Sequence, residues 1–387
     1  LVLEISNVPR DYAWGSRGGI SALRGIIGVD SAEAEVWLGD HREDPADVVG
    51  DEQSNLREWI SANLDRAGGG HLPFLLKILA ADKPLSIQAH PTIAQAGEGF
   101  ARENSAGVPV DAANRNYRDA HHKPEVIVAL QDGFRALAGF RPVVQTDAIV
   151  ADIAQRFPEA GREFANAYAR GANHAVEWLL SGNPLAASLS NSLADTTVEG
   201  EPDVIQEAYG VAAYVATFFP ADPGVVVAAL LNHVELSEGQ ALFVPAGHLH
   251  AYLSGIGIEV MAASDNVVRG GLTSKHIDTA ELVKIMSAEQ GDPYRLAPAV
   301  SAGVSHYVPP VDDFTITRVQ CGNGAPTDAV VSISGPAVAV VTAGELDIVA
   351  SERHSARPTQ AFFVEAGETI SAISGLGAVF IAHQTVR

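Results

Sequence analysis

The stretch Ser86-Ile87-Gln88-Ala89-His90-Pro91 decides the fold of this 387-residue chain, because polar and apolar residues alternate along it. In a β-strand, successive side chains point to opposite faces, so Ser86, Gln88 and His90 share one face. The residues between them are apolar and suit a core. A hydroxyl, an amide and an imidazole are costly to aim inward unless something binds there, so the stretch predicts a strand with a binding face.

A second stretch, His122-Lys123-Pro124-Glu125, adds a carboxylate to the candidate site. Alternation along an extended chain places Lys123 and Glu125 on the same face. Taken alone, Glu125 is best explained as a strand-end carboxylate paired with Lys123. Taken together with the first stretch, it becomes a candidate metal ligand.

The third stretch runs from Gly239 to His250 and follows the pattern Gly-x5-Pro-x-Gly-x2-His. This pattern resembles the second sequence motif of the cupin superfamily, whose members are small β-barrels that hold a metal in the mouth. In that resemblance the ligand is His250 and not His248, and Ser254 stands where the motif has an asparagine. His250 therefore completes the candidate metal site.

The combined ligand types favour zinc. An amide oxygen, two imidazole nitrogens and a carboxylate suit a borderline divalent ion such as Zn²⁺ and leave room for water or substrate. Cys321 is the only cysteine, which excludes a thiolate cluster and an intrachain disulfide. The predicted ligands are Gln88, His90, Glu125 and His250.

Length and charge limit the class of protein. The chain is long enough for two or three domains, and its net charge of −22 argues against nucleic acid and anionic membranes as partners. Its first residues do not resemble a signal peptide, and its apolar runs are too short to span a bilayer. We therefore expect a cytoplasmic protein, acting as a monomer on a small molecule.

Sequence periodicity changes twice along the chain. Short β-type runs dominate up to about residue 142, with a polar stretch at 98–121 that predicts a loop containing one or two helical turns. Apolar residues at helical spacing then predict helices, and β patterns return from Val234. The predicted helices are 147–157, 161–180, 202–218 and, within the later β region, Thr279–Met286.

These patterns predict a mainly β fold with an α-helical insertion. The stretch Gln240–Gly247 is echoed by Gln360–Gly367, which suggests two related barrels, although His248 and His250 become Glu368 and Ile370 in the second copy. The second barrel is therefore expected to be structural. We expect a catalytic cupin (jelly-roll) domain from residues 1–142 and 234–295, a helical insertion at 143–233, and a degenerate cupin-like β domain at 296–387.

Short motifs in one order along the chain resemble type I phosphomannose isomerases. They extend from near the N-terminus to about Asp278, and one departure is Arg42, where the family usually has proline after His41. The motifs are Tyr12-Ala-Trp14-Gly15, Ala34-Glu35-Val-Trp37-Leu-Gly39-Asp-His41, Leu85-Ser-Ile-Gln-Ala-His-Pro91, His122-Lys-Pro-Glu125, His250-Ala-Tyr252 and Ala263-Ser-Asp-Asn-Val-Val-Arg269-Gly-Gly271.

The resemblance implies an enzyme of mannose metabolism that interconverts mannose 6-phosphate and fructose 6-phosphate with one zinc ion per chain. It implies the four ligands already named and Arg269 as an active-site arginine. A phosphorylated hexose needs cations in its pocket, and Lys77, Lys123 and Arg269 are linked to the predicted metal strands. We expect the substrate contacts to be Ser86, Lys77, Tyr252 and Trp14.

Isomerisation through a cis-enediol requires a base and stabilisation of the developing negative oxygen, for which zinc and Arg269 are candidates. Glu259 is one candidate base, because it interrupts an apolar run and is expected to share the inward phase of His250 and Tyr252 if no bulge intervenes. Lys123, tuned by Asp265, is the other. The sequence does not separate them.

Two other functions compete with the isomerase. A metal-dependent cupin oxygenase is the first, although its usual ligand sets are rich in histidine, whereas Gln88 replaces one here. A non-catalytic sugar-phosphate-binding cupin is the second, although it would need neither a metal nor proton-transfer groups.

Overall fold

The described chain is mainly β-structure with a block of helices near its middle. The computed structural model describes residues 2–50, 55–200 and 203–384. The first part contains helices α1 (Gly19–Leu23), α2 (Leu56–Ala62) and α3 (Ile93–Ser105). Its strands are β1 (Val2–Ser6), β2 (Ser16–Arg17), β3 (Ala32–Glu33), β4 (Glu35–Leu38), β5 (Asp47–Val48), β6 (Phe74–Ala81), β7 (Ile87–Ala89), β8 (Glu125–Ala129) and β9 (Phe134–Phe140).

Helix α3 corrects the predicted loop at residues 98–121. The helix begins after a capping box in which Thr92 and Gln95 bond each other's backbone N–H groups, and it extends to Ser105. Its glycines hid the helical pattern. A Cβ on Gly99 would lie 2.4 Å from the Tyr117 ring, so this glycine allows close packing.

The helical block confirms helical structure in the three predicted segments, but the segment 161–180, predicted as one helix, forms two helices separated at 169–171, and two further helices were not predicted. One of these two begins with Asn183 as its N-cap and Pro184 in its first turn, so a proline that cannot continue a helix instead starts one. The block packs on the apolar face of β7, where Ile87 and Ala89 are fully buried. Its helices are α4 (Val143–Arg156), α5 (Ala160–Tyr168), α6 (Ala172–Leu179), α7 (Pro184–Ala194), α8 (Asp203–Ala216) and α9 (Gly224–Leu230).

β-Structure returns directly after α9. No helix among the described residues is both long and apolar enough to cross a membrane. The predicted helix at Thr279–Met286 is confirmed as α10 (Thr279–Ile285). The strands around it are β10 (Leu231–Leu236), β11 (Ala241–Val244), β12 (His250–Ala262), β13 (Val268–Gly271) and β14 (Arg295–Leu296).

The C-terminal region forms its own sheet, which also takes in the N-terminal strand. β1 pairs antiparallel with β21, so the two ends of the chain meet in one sheet. The strand order is β15-β16-β17-β22-β19-β21-β1-β5. The C-terminal strands are β15 (Ala299–Ser301), β16 (Val304–Tyr307), β17 (Thr315–Cys321), β18 (Asp328–Ser334), β19 (Ala337–Val349), β20 (Arg353–Ala356), β21 (Ala361–Val364) and β22 (Thr369–His383).

The other large sheet positions the candidate site, and strand β12 is its centre. The first residues of β12 pair with β7 and β9, and its second half pairs with β6 and β8. Alternation along β6 separates two environments. Leu76, Ile78 and Ala80 enter the core shared with the C-terminal sheet, whereas Lys77 and Leu79 face a cleft.

Candidate metal centre and cleft

Three predicted ligands converge on one buried point. His90 follows β7, Glu125 begins β8 and His250 begins β12, and each is at most 1% exposed. One ligand atom from each residue lies within 4.8 Å of those of the other two. The Nε2 atoms of His90 and His250 are each 3.2 Å from a Glu125 oxygen.

Backbone carbonyls orient both imidazoles toward that point. His90 Nδ1 is 2.7 Å from the carbonyl oxygen of Asn266, and His250 Nδ1 is 3.1 Å from that of His248. With the proton on Nδ1, each Nε2 is left as an electron-pair donor. Both Nε2 atoms and Glu125 Oε2 are buried without a hydrogen-bond partner among the described residues. Two imidazole nitrogens and a carboxylate oxygen that are buried and lack such partners form a ligand set that fits a divalent cation such as zinc.

The protonation states also suit metal binding. Burial, only partly opposed by the charge of Glu125, lowers the pKa of His90 to about 4. Burial would raise the pKa of Glu125, but Lys123 and then His90 outweigh it and hold that pKa well below its ordinary value. A neutral imidazole, as at His90, and an ionised carboxylate, as at Glu125, are the forms that bind metals.

Gln88 lies beside this cluster. It is opposite His250 in the pairing of β7 with β12 and opposite Arg269 in the pairing of β7 with β13. Its side chain lines the same cleft as Glu125. Its role as the fourth ligand stays a prediction.

The cluster opens into a cleft of about 780 Å³. Almost all the other predicted site residues line it, together with Glu35, Lys83, Thr273, Ser274 and Lys275, which were not predicted. The segment that follows α8 adds Thr217, Phe218 and Phe219, so the helical block forms part of the wall. The predicted residues in the lining are Trp14, Lys77, Ser86, Gln88, Lys123, Glu125, Tyr252, Glu259 and Arg269.

Asp265 is not among the residues that line this cleft. Its carboxylate lies 3.1 Å from His41 Nε2 and 3.5 Å from Arg42, and it lines a neighbouring polar cavity of about 440 Å³. Burial would raise the pKa of Asp265, but the hydrogen bond with His41 and the charges of His41 and Lys123 lower it. Lys123 itself pairs with Glu125 at 3.1 Å, as expected from their alternation.

Glu259 faces the cleft because β12 contains a bulge, whereas the sequence-based expectation required a strand without one. Strict alternation would place it on the other face from His250 and Tyr252, because it is nine positions from His250 and seven from Tyr252 along the strand. The register of β12 shifts between Tyr252 and Ser254, which is a β-bulge, and Gly255 follows with φ of 118°. The bulge brings Glu259 inward, so its expected position in the cleft is found but the condition that no bulge intervenes was wrong.

Glu259 shares its surroundings with two other buried charges. Lys77 Nζ lies 3.0 Å from Glu259 Oε2 and 3.5 Å from Glu35 Oε1. Burial would lower the pKa of Lys77, but the carboxylates of Glu259 and Glu35 raise it far above its ordinary value. Burial raises the pKa of Glu259, against the opposing charge of Lys77. Lys77 therefore stays a cation, and Glu259 can take up a proton.

Arg269 and Lys275 are two further cations in the cleft lining. Burial, and then the charge of Arg118, lowers the pKa of Arg269. Burial, and then the charges of Arg269 and Arg118, lowers the pKa of Lys275. Neither Arg269 nor Lys275 forms an ion pair within the described part of the chain, so both are available to an anion. Lys275 had no sequence signal beyond its charge.

A buried cluster of two histidines and a carboxylate, set in a β-sheet beside a cleft lined by several cations, defines a metal-dependent enzyme for a small anionic substrate. Residues 2–143 match the catalytic-domain model of type I phosphomannose isomerase. The chain is also 32% identical to the mannose-6-phosphate isomerase of Shigella flexneri, over 97% of both chains. The chain belongs to the type I phosphomannose isomerase family.

Two further comparisons agree with this assignment. The mannose-6-phosphate isomerase of Salmonella typhimurium is 36% identical over 81% of this chain and 82% of that protein. A crystal structure of the Salmonella typhimurium enzyme contains its substrate fructose 6-phosphate and zinc. It superposes on this chain with a TM-score of 0.87, and the superposition covers 100% of both chains at 30% sequence identity. The likeness in fold therefore extends over the whole chain.

Proposed function

We propose that the protein is a zinc-dependent aldose–ketose isomerase that interconverts mannose 6-phosphate and fructose 6-phosphate. The observation that carries this proposal is that the three-residue metal cluster adjoins a cleft containing a buried carboxyl group, Glu259, and cations without an ion-pair partner among the described residues. Relatives that match nearly the full length of the chain are mannose-6-phosphate isomerases, and the similar Salmonella structure holds fructose 6-phosphate and zinc.

The proposed zinc ligands are Gln88, His90, Glu125 and His250. The unpartnered Nε2 atoms and the Glu125 oxygen support three of them, and the position of Gln88 opposite His250 supports the fourth. When bound, zinc supplies Lewis-acid stabilisation of negative charge on the sugar oxygens. Lys123, paired with Glu125, keeps that carboxylate ionised.

Glu259 is the proposed base. In the aldose-to-ketose direction, it removes the proton from C2, and the cis-enediol forms as a proton moves to the oxygen on C1. Glu259 then returns its proton to C1 while the oxygen on C2 loses one, so no proton is gained or lost overall. The raised pKa of Glu259 supports this choice, since a carboxylate of higher basicity is a better acceptor from carbon. Lys123 is the weaker candidate, because its ammonium is held by Glu125.

The remaining cleft residues would bind the sugar phosphate. Arg269 and Lys275 lie close enough for the charge of Arg269 to lower the proton affinity of Lys275, and a phosphate between them would relieve that repulsion. Tyr252 is suited to donate a hydrogen bond, because burial and then the charge of Glu259 raise its pKa well above the ordinary value. Ser86, Trp14 and Lys77, which also line the cleft, complete the proposed contacts. Asp265 would act only through its charge on Lys123.

The finer fold assignment is also a proposal. The core strand order β12-β8-β11 in the site sheet corresponds to β22-β19-β21 in the C-terminal sheet, and the echoed stretches form β11 and β21. These correspondences support two cupin-like barrels, of which the second lacks the ligands. The proposed domain limits remain 1–142 with 234–295, 143–233 and 296–387.

A coupled assay with mannose 6-phosphate tests the function. We expect fructose 6-phosphate from the zinc-loaded protein, loss of activity after chelation, and recovery on adding zinc. Absence of the product from the zinc-loaded protein would refute the proposal. This result would leave an oxygenase or a sugar-phosphate sensor to be tested, although no contact in the described part of the cleft favours either.

His248 and His250 provide a matched pair of variants for the metal centre. His250→Ala is expected to remove a ligand and lower the zinc content of the purified protein. His248→Ala should keep it, because His248 contributes its backbone carbonyl and its ring contacts Tyr294 instead. Equal zinc loss in both variants would contradict the ligand assignment.

A further inference from the structure

Glu35 is a buried carboxylate that the proposed reaction does not yet use. It is 6% exposed and begins β4, and its side chain reaches the cleft beside Lys77. One oxygen lies 3.5 Å from Lys77 Nζ, and the other accepts a hydrogen bond of 2.8 Å from Trp37 Nε1. The guanidinium carbon of Arg10 lies 4.0 Å from the centre of the Trp37 ring. The Glu35 carboxylate is therefore fixed from both sides.

Lys77 is shared between two carboxylates. Its Nζ is 3.0 Å from Glu259 and 3.5 Å from Glu35, and all three residues are at most 6% exposed. One ammonium cannot neutralise two buried carboxylates, so this group carries one excess negative charge when both are ionised. A proton bound to Glu259 removes that excess.

Other charges also face Glu259. β8 contributes the negative Glu125, and Lys123 precedes it as a cation, while Tyr252 on the same strand as Glu259 is neutral. Glu125 and Lys123 are paired with each other at 3.1 Å, so their opposite charges largely cancel at a distance. Glu35 is the remaining negative charge, and it acts by drawing on the same lysine.

We propose that Glu35 is a positioning residue that holds Lys77 between two carboxylates, so that Glu259 receives only part of the lysine's positive charge and stays basic enough to accept a proton from carbon. This inference rests on the proposed role of Glu259. It assigns no contact between Glu35 and the substrate.

Glu35→Gln removes the charge while keeping the size of the side chain and an oxygen for Trp37. Lys77 would then pair with Glu259 alone, and Glu259 would become a weaker base. We expect the acidic limb of the kcat profile to move to lower pH by about one unit, the size typical of a nearby charge. We expect kcat on the plateau to fall by less than about tenfold, with KM little changed.

Glu33→Gln is the matched control. Glu33 is also 6% exposed and lies two residues away, but it accepts hydrogen bonds from Ser21 and is not part of the cleft lining. We therefore expect the wild-type acidic limb in this variant. Glu35→Asp keeps the negative charge but shortens the side chain by one methylene, which moves the charge away from Lys77. The acidic limb of its kcat profile is therefore expected at a pH between those of wild type and Glu35→Gln.

The experiment measures kcat and KM across the acidic and neutral pH range on zinc-loaded proteins, with zinc content determined for each. A purely structural role of Glu35 would lower kcat equally at all pH values and leave the limb in place, which would overturn the inference. If Glu35→Gln does not fold, Glu35→Asp carries the test, and a wild-type limb in that variant overturns it.

Glu259→Gln separates the two proposals. Near-normal turnover in that variant removes the proposed base and this inference with it. Loss of turnover in Glu259→Gln, combined with an unmoved limb in the Glu35 variants, refutes only this inference.

Discussion

Asn266 provides a sharp test of how the metal centre is built. Its backbone carbonyl accepts the Nδ1 proton of His90 at 2.7 Å, and its side chain is completely buried. The amide nitrogen donates to Asp119 and to the carbonyl of His121, and the amide oxygen accepts from the backbone N–H groups of Arg118 and Asp119. The side chain therefore holds the loop that carries the carbonyl.

Asn266→Ala keeps the carbonyl but removes the side-chain bonds that position it. Misplacing the outer partner of a metal-bound histidine typically weakens metal binding by about 10–100-fold. Each tenfold corresponds to about 1.4 kcal/mol, so the expected loss of zinc-binding free energy is about 1.4–2.8 kcal/mol. The variant also leaves buried backbone groups unpaired, and we expect the free energy of unfolding of the zinc-free protein to fall by about 3 kcal/mol.

Zinc affinity is measured by competition with a chromophoric chelator, and stability by urea unfolding of the zinc-free proteins. Asn232→Ala is the control, because Asn232 is 7% exposed and its amide donates to backbone carbonyls of β9 and of Gly291, without contacting His90 or its carbonyl partner. We expect it to lose stability with little effect on zinc affinity. If Asn266→Ala weakens zinc binding no more than Asn232→Ala, the positioning role is wrong.

Two further substitutions test the bulge and the attachment of the helical block. Gly255→Ala should destabilise the protein by more than about 3 kcal/mol in urea unfolding, because the new Cβ would lie 2.8 Å from the Cα of Phe134. Gly25→Ala is the control: Gly25 also has a positive φ, but its new Cβ would meet nothing within 4 Å, so the loss should be about 1 kcal/mol. Equal losses in the two variants would contradict the bulge geometry. Hydrogen bonding to His233 and then Arg141, against the effect of burial, lowers the pKa of Glu207 to about 2 from its ordinary 4.5. Its contribution to stability is therefore present above about pH 4.5 and lost as the pH falls toward 2, so Glu207→Gln should differ most from wild type at neutral pH and converge with it in acid. A difference in unfolding free energy that is constant with pH would refute that account.

Local patterns were enough to predict the metal cluster. His90 directly follows the short strand β7, Glu125 begins the short strand β8, and the glycine and proline pattern before His250 marks its turn. The structure brings all three within 4.8 Å. Alternation over a few residues carries this information, because a strand fixes the direction of each side chain without knowledge of its partners.

Features that depend on register between distant elements could not be predicted in the same way. The bulge after Tyr252 has no strong local signal except Gly255, and it reverses the face of Glu259. Glu35 belongs to one of the sequence motifs, but its pairing with Lys77 requires β4 and β6 to be neighbours. Helices α3 and α7 did have local signals, in the Thr92 and Asn183 caps, which the nearby Gly and Pro residues obscured.

The echoed stretches show why the buried polar cluster indicates function. β11 and β21 arise from similar sequences, and both are buried along their whole length. After β21, Glu368 lies at the position of His248 and bonds to Ser351 at the surface, while Ile370 replaces His250 and packs in an apolar core at 1% exposure. The residue at the position of His250 can therefore be apolar without loss of the strand that precedes it. Burying two imidazoles, a carboxylate and a lysine at the corresponding place in the other sheet opposes folding unless a ligand offsets it. The buried polar residues that are present in the site sheet and absent from the C-terminal sheet therefore mark the ligand-binding site.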